Sequence, residues 1–194
     1  TLLNSFDIEN LQLESLLFQA GYLTIDKIIV DEFIGSIEYI LKTPNLEVQI
    51  SLNQLMIQYL ANNINRDVVK NVRHDLIKGN LEQFEKSMFS LFAGIPYNNY
   101  VKNQIAKVEG YWASLVYCYL AGAGLEIIPE DVTNIGRIDL TLKAGENIYI
   151  FEFKTTNQDP LQQIKTKKYY EKYLNENKSI YLIGIVFNEE KRNI

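Results

Sequence analysis

The sequence predicts an α/β fold whose second half runs α-β-β-β-α-β, a mixed sheet flanked by helices, behind a helix–ribbon–helix segment. Three observations carry this. Between residues 104 and 124 apolar side chains recur at helical spacing and stop at Gly122-Ala123-Gly124. "RIDLTLK" and "IYIFEFK" are short strand-forming runs joined by the tight link "AGEN". Pro160, at a first helical position, then opens a helix that gives way to the apolar run "IYLIGIVF".

Along the chain, "DIENLQLESLLFQA" (residues 7–20) predicts a helix capped by Asp7 and stopped by Gly21. "YLTIDKIIV" and "SIEYILKT" predict two strands split by a short Gly-containing segment. Pro44 and Asn45 open the next helix, with Leu52, Leu55, Met56, Tyr59 and Leu60 at helical spacing. Helix, ribbon, helix is the outline of a small winged-helix-like module, assigned to residues 1–65. Residues 66–194 form the second domain in this reading. Its first helices break at Gly79-Asn80; Leu81, Phe84, Met88, Leu91 and Phe92 make one stripe, read as core, and Gly94 ends it. The helix from 104 follows, with Ile105, Val108, Trp112, Leu115 and Tyr119 on one side. Then come a short strand "LEIIPE", the hairpin, the helix "PLQQIKTKKYYEKYLNENK", and "IYLIGIVF", whose unbroken apolarity predicts a strand buried on both faces.

Composition narrows the class. The chain has 194 residues, 47% hydrophobic and 22% charged, an ordinary globular balance. No apolar run approaches the ~18 residues that span a bilayer, and the N-terminus is not a signal peptide, so no membrane partner is expected. The missing initiator Met and the abrupt end at "EKRNI" predict a piece of a longer protein. A single cysteine, Cys118, allows no internal disulfide and fits a reducing cytoplasm; it is read as a small buried hydrophobe. His74, the sole histidine, has no second His or Cys near it and is read as a surface residue. The net charge of −5 argues mildly against a generic basic nucleic-acid binder.

The chemistry concentrates in the hairpin. A two-residue Gly145-Glu146 turn of type II′ makes Ala144 oppose Asn147 and Lys143 oppose Ile148, and four steps further Asp139 faces Glu152. An odd-length loop or a bulge would break that register. In it the two carboxylates are cross-strand neighbours with Cβ atoms ~5 Å apart. Lys154 shares their face, and Ile138, Leu140, Phe151 and Phe153 point to the opposite face, into the core. Like charges set opposite each other are destabilising. A divalent cation such as Mg²⁺ or Mn²⁺ between Asp139 and Glu152 would remove the repulsion, and Lys154 would hold a water or stabilise developing negative charge. Oxygen ligands plus a lysine suit metal-assisted phosphodiester hydrolysis. A solvated strand face with weak ion pairs accounts for the same three residues without catalysis.

"GRIDL", "IYIFEFK" and "PLQQIKTKKY" together resemble the PD-(D/E)XK nuclease superfamily, of restriction-endonuclease-like fold. More closely, the chain is similar to the nuclease-like domain found C-terminal to a predicted AAA-type ATPase domain in bacterial proteins of unknown function. The resemblance covers about 104–194. It implies that Asp139 and Glu152 are metal ligands, that Lys154 is the catalytic lysine, and that Glu109 and Gln163 assist. It further implies that Lys168 and Tyr169 orient the nucleophile or contact phosphate. "LLFQAGYLTI" and "TPNLEVQISL" resemble the tail of the ATPase part; no Gly-rich loop with Lys-Ser/Thr occurs, so the ATPase core is absent. No proline precedes Asp139, which is a departure from the family pattern.

Each assignment keeps a plainer alternative. Glu109 reads equally as a helix-surface acid and Gln163 as an exposed amide. Arg137 binds phosphate or a loop carbonyl. "KTKKYYEK", carrying Lys165, Lys168 and Tyr169, reads as a nucleic-acid-binding helix or as a solvated charged one. The expected function is a cytoplasmic, Mg²⁺- or Mn²⁺-dependent nuclease acting on DNA, with RNA as the other substrate and the parent chain's ATPase domain as partner. The alternatives are an inactive binding module of the same fold, or an interaction role in which residues 1–50 expose an apolar patch.

Overall fold

The computed structural model describes residues 12–31, 33–61, 66–95, 109–155, 158–188, 191, 193 and 194. Asp7, Ile105 and Val108 lie outside the described residues. The chain divides into two compact units, Thr1–Ser51 and Leu52–Ile194. The division falls inside a helix.

The first unit holds α1 (Leu13–Gln19), β1 (Thr24–Asp31) and β2 (Ser36–Lys42), and α2 (Leu46–Ala61) begins in it. Gly21, at φ +80, terminates α1 as expected of a left-handed stop. β1 and β2 form an antiparallel ribbon, and Asp31 caps its turn by accepting from the amides of Phe33 and Ile34. The Asn45 side chain accepts from the Val48 amide at 2.9 Å and caps α2. The ribbon leaves Ile28, Ile29, Val30 and Ile37 exposed. On α2 the predicted spacing holds, but Leu55, Met56 and Tyr59 are exposed, and Ile57 is buried.

The second unit adds α3 (Arg66–Lys78), α4 (Leu81–Ala93), α5 (Glu109–Gly122), β3 (Glu126–Val132), β4 (Arg137–Ala144), β5 (Asn147–Thr155), α6 (Pro160–Lys167), a 3-10 helix (Tyr169–Glu176) and β6 (Ser179–Phe187). The strands form one mixed sheet in the order β3-β4-β5-β6, antiparallel except for the β5–β6 pair. This is the restriction-endonuclease-like α-β-β-β-α-β core.

Helices flank both faces. On one, Phe84, Met88, Leu91 and Phe92 of α4 and Trp112, Leu115 and Tyr119 of α5 pack on Leu140, Leu142, Phe151 and Phe153. Trp112 stacks on Phe187 at 5.2 Å, and Phe92 adjoins both rings. Burying each such phenylalanine contributes about 1.5–3 kcal/mol. β5 also holds α3 by its polar groups: Asn147 Nδ2 donates to the carbonyls of Leu76 and Ile77, and Tyr149 Oη donates to Leu76 at 2.6 Å. Those carbonyls end a helix and lack intrahelical donors. On the other face Ile148, Ile150, Ile164, Tyr169 and Tyr173 form a smaller cluster.

Several expectations need correction, and Leu81, expected in the core stripe, is exposed. Ile138 does not share the face of Leu140; it packs in the Ile148–Ile150 cluster. The ladder between β3 and β4 explains this. Its register is constant, yet it skips Glu130, whose backbone is left-handed at φ +50, and the sidedness changes there. The predicted helix after Pro160 is not continuous, because Lys168 adopts φ +49 and caps α6. The break lets Tyr169 and Tyr173 turn onto the sheet. Buried Asp131 anchors the new segment, accepting from Thr141 at 2.8 Å and from Lys172 and Tyr173. Burial pushes that carboxyl up, but the hydrogen bonds from Lys172, Tyr173 and Thr141 prevail and hold it below its ordinary value.

β6 is an edge strand among the described residues, and most of it is half-buried. Its two faces feed both clusters, through Ile183, Ile185 and Phe187 on one side and Ile180 and Leu182 on the other, so its apolar run carries no sign of the open edge. Cys118 is half-buried rather than buried, and its position still raises the thiol pKa. His74 is exposed, as expected.

Candidate active site

The hairpin sets the site. Gly145 takes φ +59 while Glu146 stays out of the left-handed region, as a type II′ turn requires. Ala144 pairs with Asn147, Lys143 with Ile148, and the ladder continues in step to Leu140 with Phe151. The pairing stops there, one step short of Asp139 and Glu152. Beyond it the side chain takes over: Asp139 Oδ2 accepts from the Phe153 amide at 2.8 Å.

Glu152 is 1% exposed, an extreme place for a carboxylate. Its Oε1 accepts from Lys154 Nζ at 3.0 Å and from Gln163 Nε2. Its Oε2 is buried and has no hydrogen-bond partner. Burial, then the Asp139 charge, push the carboxyl up to about 7, although Lys154 pulls the other way. Burial alone would pull the Lys154 ammonium down. The hydrogen bond to Glu152 and the charges of Glu152, Glu109 and Asp139 outweigh it and raise the lysine, which therefore stays charged at neutral pH. Lys154 Nζ also donates to the Phe153 carbonyl at 2.9 Å and lies 4.0 Å from Glu109 Oε1.

Gln163 reaches Glu152 because α6 starts close to the sheet. Asp159 caps α6 through the Gln162 amide at 3.0 Å, and Pro160 fills its first position. Glu152 pairs across β5–β6 with Gly184. A Cβ on Gly184 would lie 2.7 Å from Pro160 Cγ and 3.0 Å from Leu161 N. Only a glycine admits the helix this near. The sequence signal for it is a lone Gly inside the apolar strand "LIGIV", a mark of close backbone approach that the sequence reading passed over.

The structure thus gathers Asp139, Glu152, Lys154, Glu109 and Gln163. Arg137 lies beside them, its Nη1 3.1 Å from Glu130 Oε2, at a cavity that also touches Asp139 and Glu109. The remaining three are elsewhere. Lys165 and Lys168 are exposed, with Lys168 Nζ 3.6 Å from Glu171, and no described interaction ties them to the carboxylates. Tyr169 is 4% exposed and packs in the core.

Among the described residues no group of three or more His, Cys, Asp or Glu side chains is arranged to hold a metal ion. Two carboxylates and water nevertheless suffice for Mg²⁺, which keeps much of its hydration. The orphaned Glu152 Oε2 decides the fit. An unpaired buried carboxylate oxygen costs on the order of 1–3 kcal/mol or more, and a cation shared with Asp139 would satisfy it and offset the mutual repulsion. The residues present fit a divalent ion.

The family model of the PD-(D/E)XK nuclease superfamily, nucleases that generally use divalent metal ions, matches residues 107–194. A protein of Azotobacter chroococcum mcd 1, named "Uncharacterized protein in vnfD 5'region", is 38% identical over 199 residues. The match covers 100% of this chain and 38% of that relative, so the chain spans about two fifths of its length. No solved structure matches significantly. No helix among the described residues is long and apolar enough to cross a membrane. Residues 107–194, which carry Asp139, Glu152 and Lys154, thus match the PD-(D/E)XK nuclease superfamily.

Proposed function

We propose that the chain is a metal-dependent phosphodiesterase that cleaves DNA. The observation that carries this is Glu152: a carboxylate buried beside a second acid, one oxygen held by Lys154 and Gln163, the other without a partner. A fold selected for stability alone would replace it, since buried charge is costly.

Asp139 and Glu152 would hold a Mg²⁺ or Mn²⁺ ion, which when bound supplies Lewis-acid polarisation of the phosphate and a more acidic water. The Phe153 amide fixes the Asp139 carboxylate, and Gln163 fixes that of Glu152. The charged Lys154 ammonium orients the attacking water and offsets the negative charge that gathers on the phosphate oxygens. Water oxygen bonds to phosphorus as the P–O ester bond breaks; the water gives up one proton to solvent and the leaving oxygen takes one up from solvent. Glu109, 4.0 Å from Lys154, keeps the ammonium charged and in place. Arg137 at the rim meets the approaching strand. In this reading the nuclease works within a longer, ATPase-linked protein of the cytoplasm, of which residues 1–65 are the winged-helix-like tail.

The test is cleavage of plasmid and linear DNA with Mg²⁺ or Mn²⁺, with EDTA, and in Lys154→Ala. Loss of cleavage under either change is expected. Cleavage that survives both rejects the mechanism. The Lys154–Glu152 ion pair also favours a second reading, a binding module whose lysine occupies the carboxylate in place of a cation. That module would bind DNA in a salt-dependent way, leave it intact, and show no Mn²⁺ uptake.

A further inference from the structure

Beside Asp139 lies a cavity of about 380 Å³ between α5 and the β3–β4 hairpin; the phosphodiesterase mechanism uses Asp139, Glu109 and Arg137 at its edge and gives its interior no role. Building on the nuclease reading, we infer that this cavity receives one unpaired nucleobase of the substrate strand, next to the scissile phosphate.

Size and shape come first. The cavity sits at the lower end of small-ligand pockets, room for a single base and not for a duplex. On α5 its wall is Gly110, Ala113 and Ser114, three small residues at helical spacing, and their size is what leaves the space open. One turn on, half-buried Tyr117 supplies an aromatic surface, and Pro129 supplies an apolar one across the gap. Stacking on an aromatic side chain is the usual way a protein holds an unpaired base of any identity.

Charge then selects between the base and the phosphate. The cavity is edged by three acids, Glu109, Glu130 and Asp139, and one cation, Arg137, already 3.1 Å from Glu130. An excess of carboxylates repels a phosphate but accepts the N–H donors on base edges, as Glu and Asp do from a cytosine amino group. Glu130 is the residue placed for this. Its left-handed backbone, at φ +50, costs on the order of 1 kcal/mol for a non-glycine residue. It also removes the Glu130–Asp139 step from the β3–β4 ladder. The strain opens the wall of the cavity beside a proposed metal ligand, where sheet pairing would otherwise close it.

The inference makes the substrate a single strand, or a duplex from which one base is extruded. The experiment uses the full chain in EDTA, where nothing is cut, and a single-stranded oligonucleotide carrying one 2-aminopurine. Binding is followed by anisotropy and base stacking by 2-aminopurine fluorescence. Expected is a fluorescence change with the single strand and little with the matched duplex. Tyr117→Ala should weaken single-strand binding ~10-fold. Ser114→Phe, an exposed position whose new ring fills the cavity mouth, should abolish the fluorescence change while the melting temperature is kept. Binding with no fluorescence change, or a change unaffected by both variants, overturns the pocket and leaves the nuclease reading standing. A fluorescence change lost in both variants, in a chain that never cleaves with Mn²⁺, upholds the pocket and sinks the nuclease reading instead.

Discussion

The backbone amide of Phe153 donates to Asp139 Oδ2 at 2.8 Å, so the amide between Glu152 and Lys154 is the clamp on the first carboxylate. The peptide that carries the second acid and the lysine also aims Asp139. Asn in place of Asp139 keeps an oxygen for that bond and loses the charge. Asp139→Asn is therefore expected to fold normally by thermal melting, to bind Mn²⁺ weakly by calorimetry, and to cleave at least ~100-fold more slowly. Wild-type Mn²⁺ affinity in this variant would remove Asp139 from the metal site.

Glu152 imposes a pH dependence on the metal-free protein. Its carboxyl moves from an ordinary 4.5 to about 7, so between those values the folded chain holds a proton that the unfolded chain has released. The sign follows: stability contributed by this group is greatest below pH 4.5 and falls as pH rises toward 7, by up to ~3 kcal/mol. In EDTA the melting temperature should drop from pH 5 to pH 8, and Glu152→Gln should flatten that drop. Because a cation competes with the proton, Mn²⁺ affinity in the wild type should rise over the same range. A melting profile unchanged by Glu152→Gln would refute the shift.

Gly184 sets the distance between α6 and the sheet. In Gly184→Ala the new methyl meets Pro160 and Leu161, backbone included, and the helix must retreat. Overpacking of this kind costs about 1–3 kcal/mol. Retreat also withdraws Gln163 from Glu152, and loss of a group that orients a ligating carboxylate weakens metal binding ~10–100-fold. Gln163→Ala should reproduce the metal defect without the loss of stability. Normal Mn²⁺ affinity in both variants would separate Gln163 from the site.

Tyr169 is expected to matter for folding and not for substrate. Its ring is buried with Ile138, Ile148 and Tyr173, and its hydroxyl lies 3.1 Å from where a Gly136 Cβ would stand. Tyr169→Ala should cost about 3–5 kcal/mol by chemical denaturation. Tyr169→Phe keeps the ring and should leave DNA affinity unchanged. A large loss of affinity in Tyr169→Phe would restore the hydroxyl to a substrate role.

What could be read from residues alone follows from how far each signal reaches. The Leu140–Phe151 register was legible because a two-residue turn with Gly first leaves little choice of pairing. Glu109 and Gln163 were ambiguous because a helix acid and a helix amide look alike whether they face solvent or a partner ~4 Å away. The left-handed backbones of Glu130 and Lys168 were not legible at all, since neither is a glycine and only tertiary packing holds them there. The break at Lys168 moved Tyr169 from an expected binding surface into the core. β6 deceived for another reason: an apolar run reports that both faces are covered, and says nothing about whether a neighbour lies along the edge.

The polar bonds from Asn147 and Tyr149 to the end of α3 bear on any attempt to trim the protein. The family match starts at residue 107, whereas α3 and α4 lie before it and supply Val72, Leu76, Phe84, Met88, Leu91 and Phe92 to the main core. A truncated product beginning at 107 would keep α5 but lose α3 and α4 from that face of the sheet, and with them the Phe84 ring that packs edge-on against Phe151, next to Glu152. Segment boundaries drawn from family likeness would in this case produce aggregates, and a null result from such a fragment would say nothing about catalysis.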